Sequence, residues 1–178
     1  YQTAIRGAFF DIARVCDSAD AIARHARYLE DGLLFIQNGK ILAQMPWQEG
    51  EQYLDPHKGY TDLRGRLLLP GFVDTHVHYP QTEMIGAFGE QLLEWLTTYT
   101  FPVESQFADA EYAQEIAQFF VNQLISHGTT TALVFCTLHP ASVEALFSEA
   151  LRLNMRLIAG KVMMDRHVPD YLCETAGE

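Results

Sequence analysis

From residue 1 to about residue 66 the apolar positions come in short runs broken by turn signals, the pattern of strands and turns. Beyond that point, β-branched apolar runs alternate with segments whose apolar positions recur at helical spacing. In the first part, Ile5 to Ile12 is mixed apolar sequence, and Ala19 to Tyr28 predicts a brief helix or an insertion. The stretch Asp31 to Ala43 places two apolar runs around Asn38-Gly39, both of which tolerate positive φ, and so predicts a β-hairpin. Trp47 to Leu63 is polar, with Asp55-Pro56-His57-Lys58-Gly59 as a loop, and Asp62 to Arg66 leads into the next strand. About sixty residues with one clear hairpin hold little core and call for further strands.

The second part starts with Leu67 to Gln81, which reads as a buried strand with His76 and His78 at its carboxyl end. Gln91 to Tyr99 puts Leu92, Leu93, Leu96 and Tyr99 on one side at helical spacing, with Trp95 beside them. Asp109 is placed as the N-cap of a helix whose apolar stripe is Tyr112, Ile116, Phe119, Phe120 and Leu124, and Gly128 suits its stop. Thr129 to Phe135 reads as a strand. Pro140 opens a helix carrying Val143, Leu146, Phe147, Ala150 and Leu151, which Asn154 closes. Leu157 to Met164 reads as a third strand. Strand, helix, strand, helix, strand is the order of an α/β fold with a parallel sheet.

Composition narrows the possible partners. The 178 residues are 48% hydrophobic, ample for a core, and the formal net charge is -11 with no basic block. A polyanion is repelled by such a chain, which argues against nucleic acid. No basic segment followed by an apolar core marks a signal peptide, and no apolar run reaches the roughly 20 residues that span a bilayer. A cytoplasmic protein without a membrane partner is expected. Cys16, Cys136 and Cys173 are odd in number and widely spaced, so reduced thiols are the default.

The chemistry centres on His76-Val77-His78. Strand side chains alternate faces, so both imidazoles point the same way and can offer two nitrogen ligands to one divalent metal while Val77 packs opposite. Asp74 is placed to accept a hydrogen bond and orient the pair. Zinc suits imidazole nitrogen and is redox-inert, and iron accepts the same ligands.

Pro70-Gly71-Phe72-Val73-Asp74-Thr75-His76-Val77-His78 resembles the first barrel strand of the amidohydrolase superfamily. Tyr79-Pro80-Gln81 and the block Leu92 to Glu104 resemble, within it, the guanine deaminase family. The resemblance implies the amino-terminal portion of a (β/α)8 TIM barrel, residues 67–178, preceded by part of a small β-sandwich domain, residues 1–66. A complete barrel needs roughly 250 residues, so a longer enzyme is expected. The resemblance further implies zinc-dependent deamination of guanine to xanthine and ammonia in purine catabolism, a homodimer, His76 and His78 as metal ligands, and Gln81 holding the purine. It places two further histidines, an aspartate and the proton-shuttle glutamate after Glu178. This chain alone is therefore expected to be inactive. Another purine, a pyrimidine or a triazine is the alternative substrate, and a purely structural folding or assembly unit is the alternative role.

The remaining candidates read more plainly. His57, between Pro56 and Lys58, is a loop histidine. Cys136 reads as a small buried hydrophobe, His139 as a helix-start residue near the pocket rim, and Lys161 as structural. Asp165-Arg166-His167 is expected to end the third strand on the functional face. Glu83, Glu90, Glu94 and Glu104 read mostly as solvated helix faces. None of them inherits the shuttle role.

Overall fold

The computed structural model describes every residue except Glu90, Ala176 and Glu178, and separates between Pro70 and Gly71 into two units. In the first, β1 (Thr3–Ile12) is followed by α1 (Ala19–His25), β2 (Ala26–Gln37), β3 (Lys40–Pro46), α2 (Trp47–Gly50), a 3₁₀ turn (Glu51–Tyr53) and β4 (Thr61–Leu68). The strand order is β3-β2-β1-β4, antiparallel except for the β1/β4 pair. The predicted hairpin is present: Asn38 (φ 53°) and Gly39 (φ 70°) both take the left-handed conformation of a two-residue turn. The segment after residue 18 resolves into a helix because the Ser18 hydroxyl accepts from the Ala21 amide at 3.2 Å.

The buried centre of this unit is small, with Ala4, Leu33 and Phe35 at its heart. Around it, charges are paired: the Arg6 guanidinium lies 3.6 Å over the Trp47 ring and grips Asp31 through two hydrogen bonds of 2.8 and 2.6 Å. Leu67 and Leu68 differ from expectation. They pair with Ala8 and Phe9 of β1, so they finish β4 rather than begin the histidine strand. An apolar run of three leucines carries no signal of where one strand stops; Pro70, which has no amide hydrogen, marks the break instead. The division expected at 66/67 accordingly falls at 70/71.

The second unit contains β5 (Phe72–His78), a 3₁₀ stretch (Tyr79–Met84), α3 (Leu92–Trp95), a π-helical stretch (Leu96–Thr100), α4 (Phe101–Ser105) and a 3₁₀ turn (Gln106–Ala108). Then follow α5 (Ala110–Ser126), β6 (Thr129–Phe135), α6 (Pro140–Arg152), β7 (Arg156–Gly160) and a 3₁₀ turn (Asp170–Leu172). The three strands are parallel in the order β5-β6-β7, the α/β arrangement the pattern predicts. Asp109 caps α5 as expected, accepting from the amides of Glu111 at 2.8 Å and Tyr112 at 3.3 Å. Gly128 (φ 87°) and Asn154 (φ 54°) close α5 and α6 in the left-handed conformation.

The core gathers Tyr79, Phe107, Ile116, Phe120, Val121, Val134 and Leu146 between helices and sheet. The stripe of α5 is rotated from the expected one. Ala113, Ala117 and Val121 are buried with Ile116 and Phe120, whereas Phe119 is 53% exposed. Large side chains alone misplace a stripe when small alanines let the helix approach its neighbours.

Two strand readings also change. β5 is an edge strand, and Phe72 (57%) and Val73 (63%) are exposed rather than buried. β7 stops at Gly160 because its partner β6 ends at Phe135, and two further bonds, Cys136 amide to Gly160 carbonyl at 3.4 Å and Val162 amide to Thr137 carbonyl at 3.2 Å, extend the contact past both strands. Asp165-Arg166-His167 thus lies in irregular chain rather than at a strand end. Among the described residues no helix is long and apolar enough to cross a membrane.

Candidate active site

His76 and His78 emerge at the carboxyl end of β5 through a local irregularity. Between Asp74 and Val77 that strand advances three residues while β6 advances two, from Ala132 to Val134, so one residue is extra. Such a bulge bends the strand and re-aims a side chain. Asp74 holds it: its carboxylate accepts from the backbone amide of His76 at 3.0 Å. Its role is therefore on the backbone of His76 and not on either imidazole. Both rings then rest on Phe135 at the end of β6, with centroid distances of 4.8 Å for His76 and 4.7 Å for His78, the latter stacked at 14°.

The result is a converging pair. The two Nε2 atoms stand 3.2 Å apart. This is a distance for one shared hydrogen bond, and it is also what a metal requires: tetrahedral nitrogen ligands at roughly 2.0–2.1 Å from zinc lie about 3.3 Å from each other. The donor set fits a borderline cation with imidazole ligands. Burial, and then the neighbouring His76, hold the His78 imidazole below its ordinary value, towards the neutral form. Among the described residues no group of three or more His, Cys, Asp or Glu side chains is gathered to hold a metal.

A cavity of about 720 Å³ opens beside the pair, with His76, His78, Gln81 and Trp95 in its wall. Gln81 is placed there by the 3₁₀ stretch that follows the strand directly. Tyr79, the first residue of that stretch, is completely buried, stands edge-on to Phe107 at 5.1 Å and donates its hydroxyl to the Ser142 carbonyl at 3.0 Å. Burial pushes its phenol well above the usual value, so it stays a donor. The Thr82 hydroxyl donates back to the Tyr79 carbonyl at 2.6 Å and tightens the turn. On its far side Glu83 accepts from the Tyr112 hydroxyl at 2.5 Å, tying the stretch to α5.

The other candidates separate from this cavity. Cys136 is 1% exposed and its thiol is pushed up to about 12 by burial, as suits a small core residue. His139 precedes α6, where Thr137 and Ser142 tie the turn together: the Ser142 hydroxyl donates to the His139 carbonyl at 2.8 Å and the His139 amide to Thr137 Oγ1 at 3.1 Å. Its buried Nε2 has no partner. Lys161 is ion-paired to Glu174, and Asp165 and Arg166 bind each other. His57 is an exposed loop residue and Glu94 is exposed. Glu90 lies outside the described residues.

Glu104 overturns its reading as a solvated residue: it is 5% exposed, burial raises its carboxyl to about 7, and Oε2 has no partner. Thr100, one turn earlier, is likewise buried with an unpartnered hydroxyl. Neither periodicity nor composition marked the burial of Glu104 and Tyr79 or the place of Phe135 beneath the two imidazoles. Their surroundings come from segments far along the chain, such as Ser142 for Tyr79. Only the heavy aromatic content of the 92–104 block hinted that its inner face was buried.

The family model for "Amidohydrolase family" matches residues 67–178, and the chain belongs to that family. Within it, the chain is similar to guanine deaminase from Escherichia coli (strain K12), 55% identical over 173 residues that make up 97% of this chain and 39% of that protein. The solved E. coli guanine deaminase superposes with a TM-score of 0.94 at 54% identity, covering 98% of this chain and 40% of the other. Guanine deaminase from C. acetobutylicum, solved with guanine bound in its active site, gives 0.79 at 28% identity over 97% of this chain and 39% of that one. An adenosine deaminase from Xanthomonas campestris with bound zinc shares the fold, at 0.67 and 19% identity, over 97% of this chain and 36% of that one. The α/β architecture is thus that of the amino-terminal part of a TIM-barrel amidohydrolase. The chain spans 39% of the length of the E. coli relative.

Proposed function

We propose that this chain supplies the first two metal ligands and the base-holding amide of a metal-dependent guanine deaminase. The observation that carries the reading is the convergence of His76 and His78, Nε2 to Nε2 at 3.2 Å, on a cavity that Gln81 also lines. The E. coli likeness supports guanine as the substrate. In the net reaction the oxygen of water is joined to the ring carbon that bears the exocyclic amine. The bond from that carbon to nitrogen breaks, and the nitrogen leaves as ammonia with one proton of the water, while the other passes to the adjacent ring nitrogen. Zinc, with iron as the other ion these ligands accept, supplies Lewis acidity that makes hydroxide available near pH 7.

The residues of this chain bind and orient. His76 and His78 would hold the ion through their two Nε2 atoms. Gln81 offers a donor and an acceptor to the edge of the purine, which presents the complementary pair. The proton-shuttle carboxylate belongs, in this reading, to a segment after residue 178, and the complete enzyme acts as a cytoplasmic homodimer. The 178-residue chain by itself is inactive, since two ligands do not complete a zinc centre.

A panel of guanine, adenine, cytosine and a triazine with ammonia detection tests the substrate on an enzyme of full family length carrying this chain. Guanine is expected to lead by kcat/KM, and a preference for a pyrimidine or triazine overturns the reading. Gln81→Ala is expected to lower guanine kcat/KM by one to two orders of magnitude, roughly 1.5–3 kcal/mol. Unchanged turnover removes Gln81 from the site.

A further inference from the structure

Trp95 enters the cavity wall in a way that the metal pair and Gln81 do not explain. Its indole is half-buried and faces the space shared with His76, His78 and Gln81. The indole N–H is its single polar group, and here it is already engaged: Nε1 donates to the Ala87 carbonyl at 3.2 Å. The ring therefore has only its π surface to offer a ligand.

The segment 85–89 that receives this bond is fitted to the indole. Gly86 turns in the left-handed conformation at φ 83°. Gly89 then passes so close that a Cβ there would stand 2.5 Å from Trp95 Cβ and Cδ1 and 2.8 Å from Cγ. Ile85 and Ala87 join Trp95 in lining the cavity, while Phe88 lies on the outside at 82% exposure. The turn from 85 to 89 thus acts as a strap that sets the angle of one ring.

We propose that Trp95 is the face-binding residue for a planar nitrogen heterocycle in this cavity, and that Gly89 and the Ala87 carbonyl are its positioning elements. This rests on the reading above, in which Gln81 takes the edge of the base, and adds the partner for its face. Stacking on an aromatic ring is tolerant of ring substituents, because every base has a π face. Trp95 therefore supplies affinity for a flat ring, and Gln81 supplies the choice among flat rings.

The test uses the metal-loaded enzyme of full family length. Trp95→Ala is expected to raise KM for guanine about ten- to a hundredfold, with kcat changed less than about threefold. Trp95→Phe, which keeps a stacking face, recovers most of that loss. Gly89→Ala, which touches no substrate, reproduces part of it by displacing the indole. Trp95→Ala and Gly89→Ala enzymes with parental metal content and KM within twofold of the parent overturn the proposal, as does a kcat loss with KM unchanged. If the unsubstituted enzyme fails to deaminate guanine, the functional reading itself falls and this inference falls with it. If Gln81→Ala is silent while Trp95→Ala raises KM, only the edge contact fails.

Discussion

The two units differ in how completely their polar side chains are partnered. In the first, guanidinium and carboxylate groups meet in pairs, Arg6 with Asp31, Arg27 with Asp11 and Arg64 with Asp62, around a core no larger than a few side chains. The second has ion pairs too, Arg152 with Glu149, Lys161 with Glu174 and Arg166 with Asp165, but its wide apolar core also lies beside polar atoms with no partner: Thr100 Oγ1, Glu104 Oε2 and His139 Nε2. Among the described residues, every buried side-chain polar atom left unpartnered falls in the second unit. Native proteins rarely leave such atoms unmet, and where they do the explanation lies in function or in a partner yet to be added. The unpartnered polar groups thus fall in the same unit as the candidate site, and the first unit is expected to serve as scaffold.

The sharpest way to break this contrast is to cut one group in each unit. His76→Ala or His78→Ala is expected to lower guanine kcat/KM on the order of a thousandfold or more, because a lost metal withdraws several kcal/mol of stabilisation in the transition state. Metal content measured by atomic absorption should fall in parallel. Asp31→Ala, which breaks the best-formed ion pair of the first unit, is expected to leave metal content at the parental level and kcat/KM within a few fold. A first-unit variant that empties the metal site would end the division of labour.

A smaller effect separates the units by pH. The Arg6 guanidinium beside Asp31 holds that carboxyl below its ordinary value, and Arg64 holds Asp62 down at about 2. A depressed carboxyl stabilises the fold above its unfolded value and loses that contribution as pH falls through the folded one. Glu104 runs the other way. With its carboxyl raised by burial from 4.5 to about 7, the fold binds a proton that the unfolded chain has released. Stability at this group is full below about pH 4.5 and is lost as pH rises through about 7. Glu104→Gln should therefore raise stability at pH 8 by about 2–3 kcal/mol and change little at pH 4.5, read by denaturant unfolding. A variant equally stabilised at both pH values shows that packing, not charge, sets the effect.

How much of this was legible along the chain follows the same division. Local signals were read correctly where the physics is local: Asn38-Gly39 for the hairpin, Asp109 for the start of α5, Gly128 and Asn154 for two helix ends. The facing of the two histidines was equally readable, since period-two alternation brings positions i and i+2 to one side, although the bulge that Asp74 closes left no mark in sequence. Readings failed where distant chain decides. Leu67 and Leu68 belong to β4 because β1 lies open beside them, and β7 ends at Gly160 because β6 has ended. Glu104 looks like a helix-surface glutamate by composition, and its burial depends on what packs over α4. Trp95 was placed beside a helical stripe, but its engagement by Ala87 and Gly89 depends on the path of a turn with no periodic signal.

The smallest effect gives the cleanest comparison, because the same substitution can be made once in each unit. Gly39 at φ 70° and Gly128 at φ 87° both sit where a Cβ is strained, and neither is crowded: nothing lies within 4 Å of a Cβ at Gly39, and at Gly128 the nearest atoms are on the Phe72 ring at 3.4 Å. Alanine at either position should cost about 1 kcal/mol from backbone strain alone. Gly39→Ala loosens the turn joining β2 to β3, and the amides of β1, β2 and β3 should exchange faster by roughly fivefold, the factor that 1 kcal/mol gives. Gly128→Ala loosens the junction of α5 with β6, where the Gly128 carbonyl also accepts the Phe72 amide at 2.8 Å at the start of β5. Protection should then fall in β5, β6 and β7 by the same factor. If each substitution is felt only in its own sheet, the units open independently and the first is a scaffold in the thermodynamic sense as well. If Gly39→Ala lowers protection at His76 and His78, the two open as one cooperative body, and the strain in a surface turn reaches the strand that carries the histidine pair.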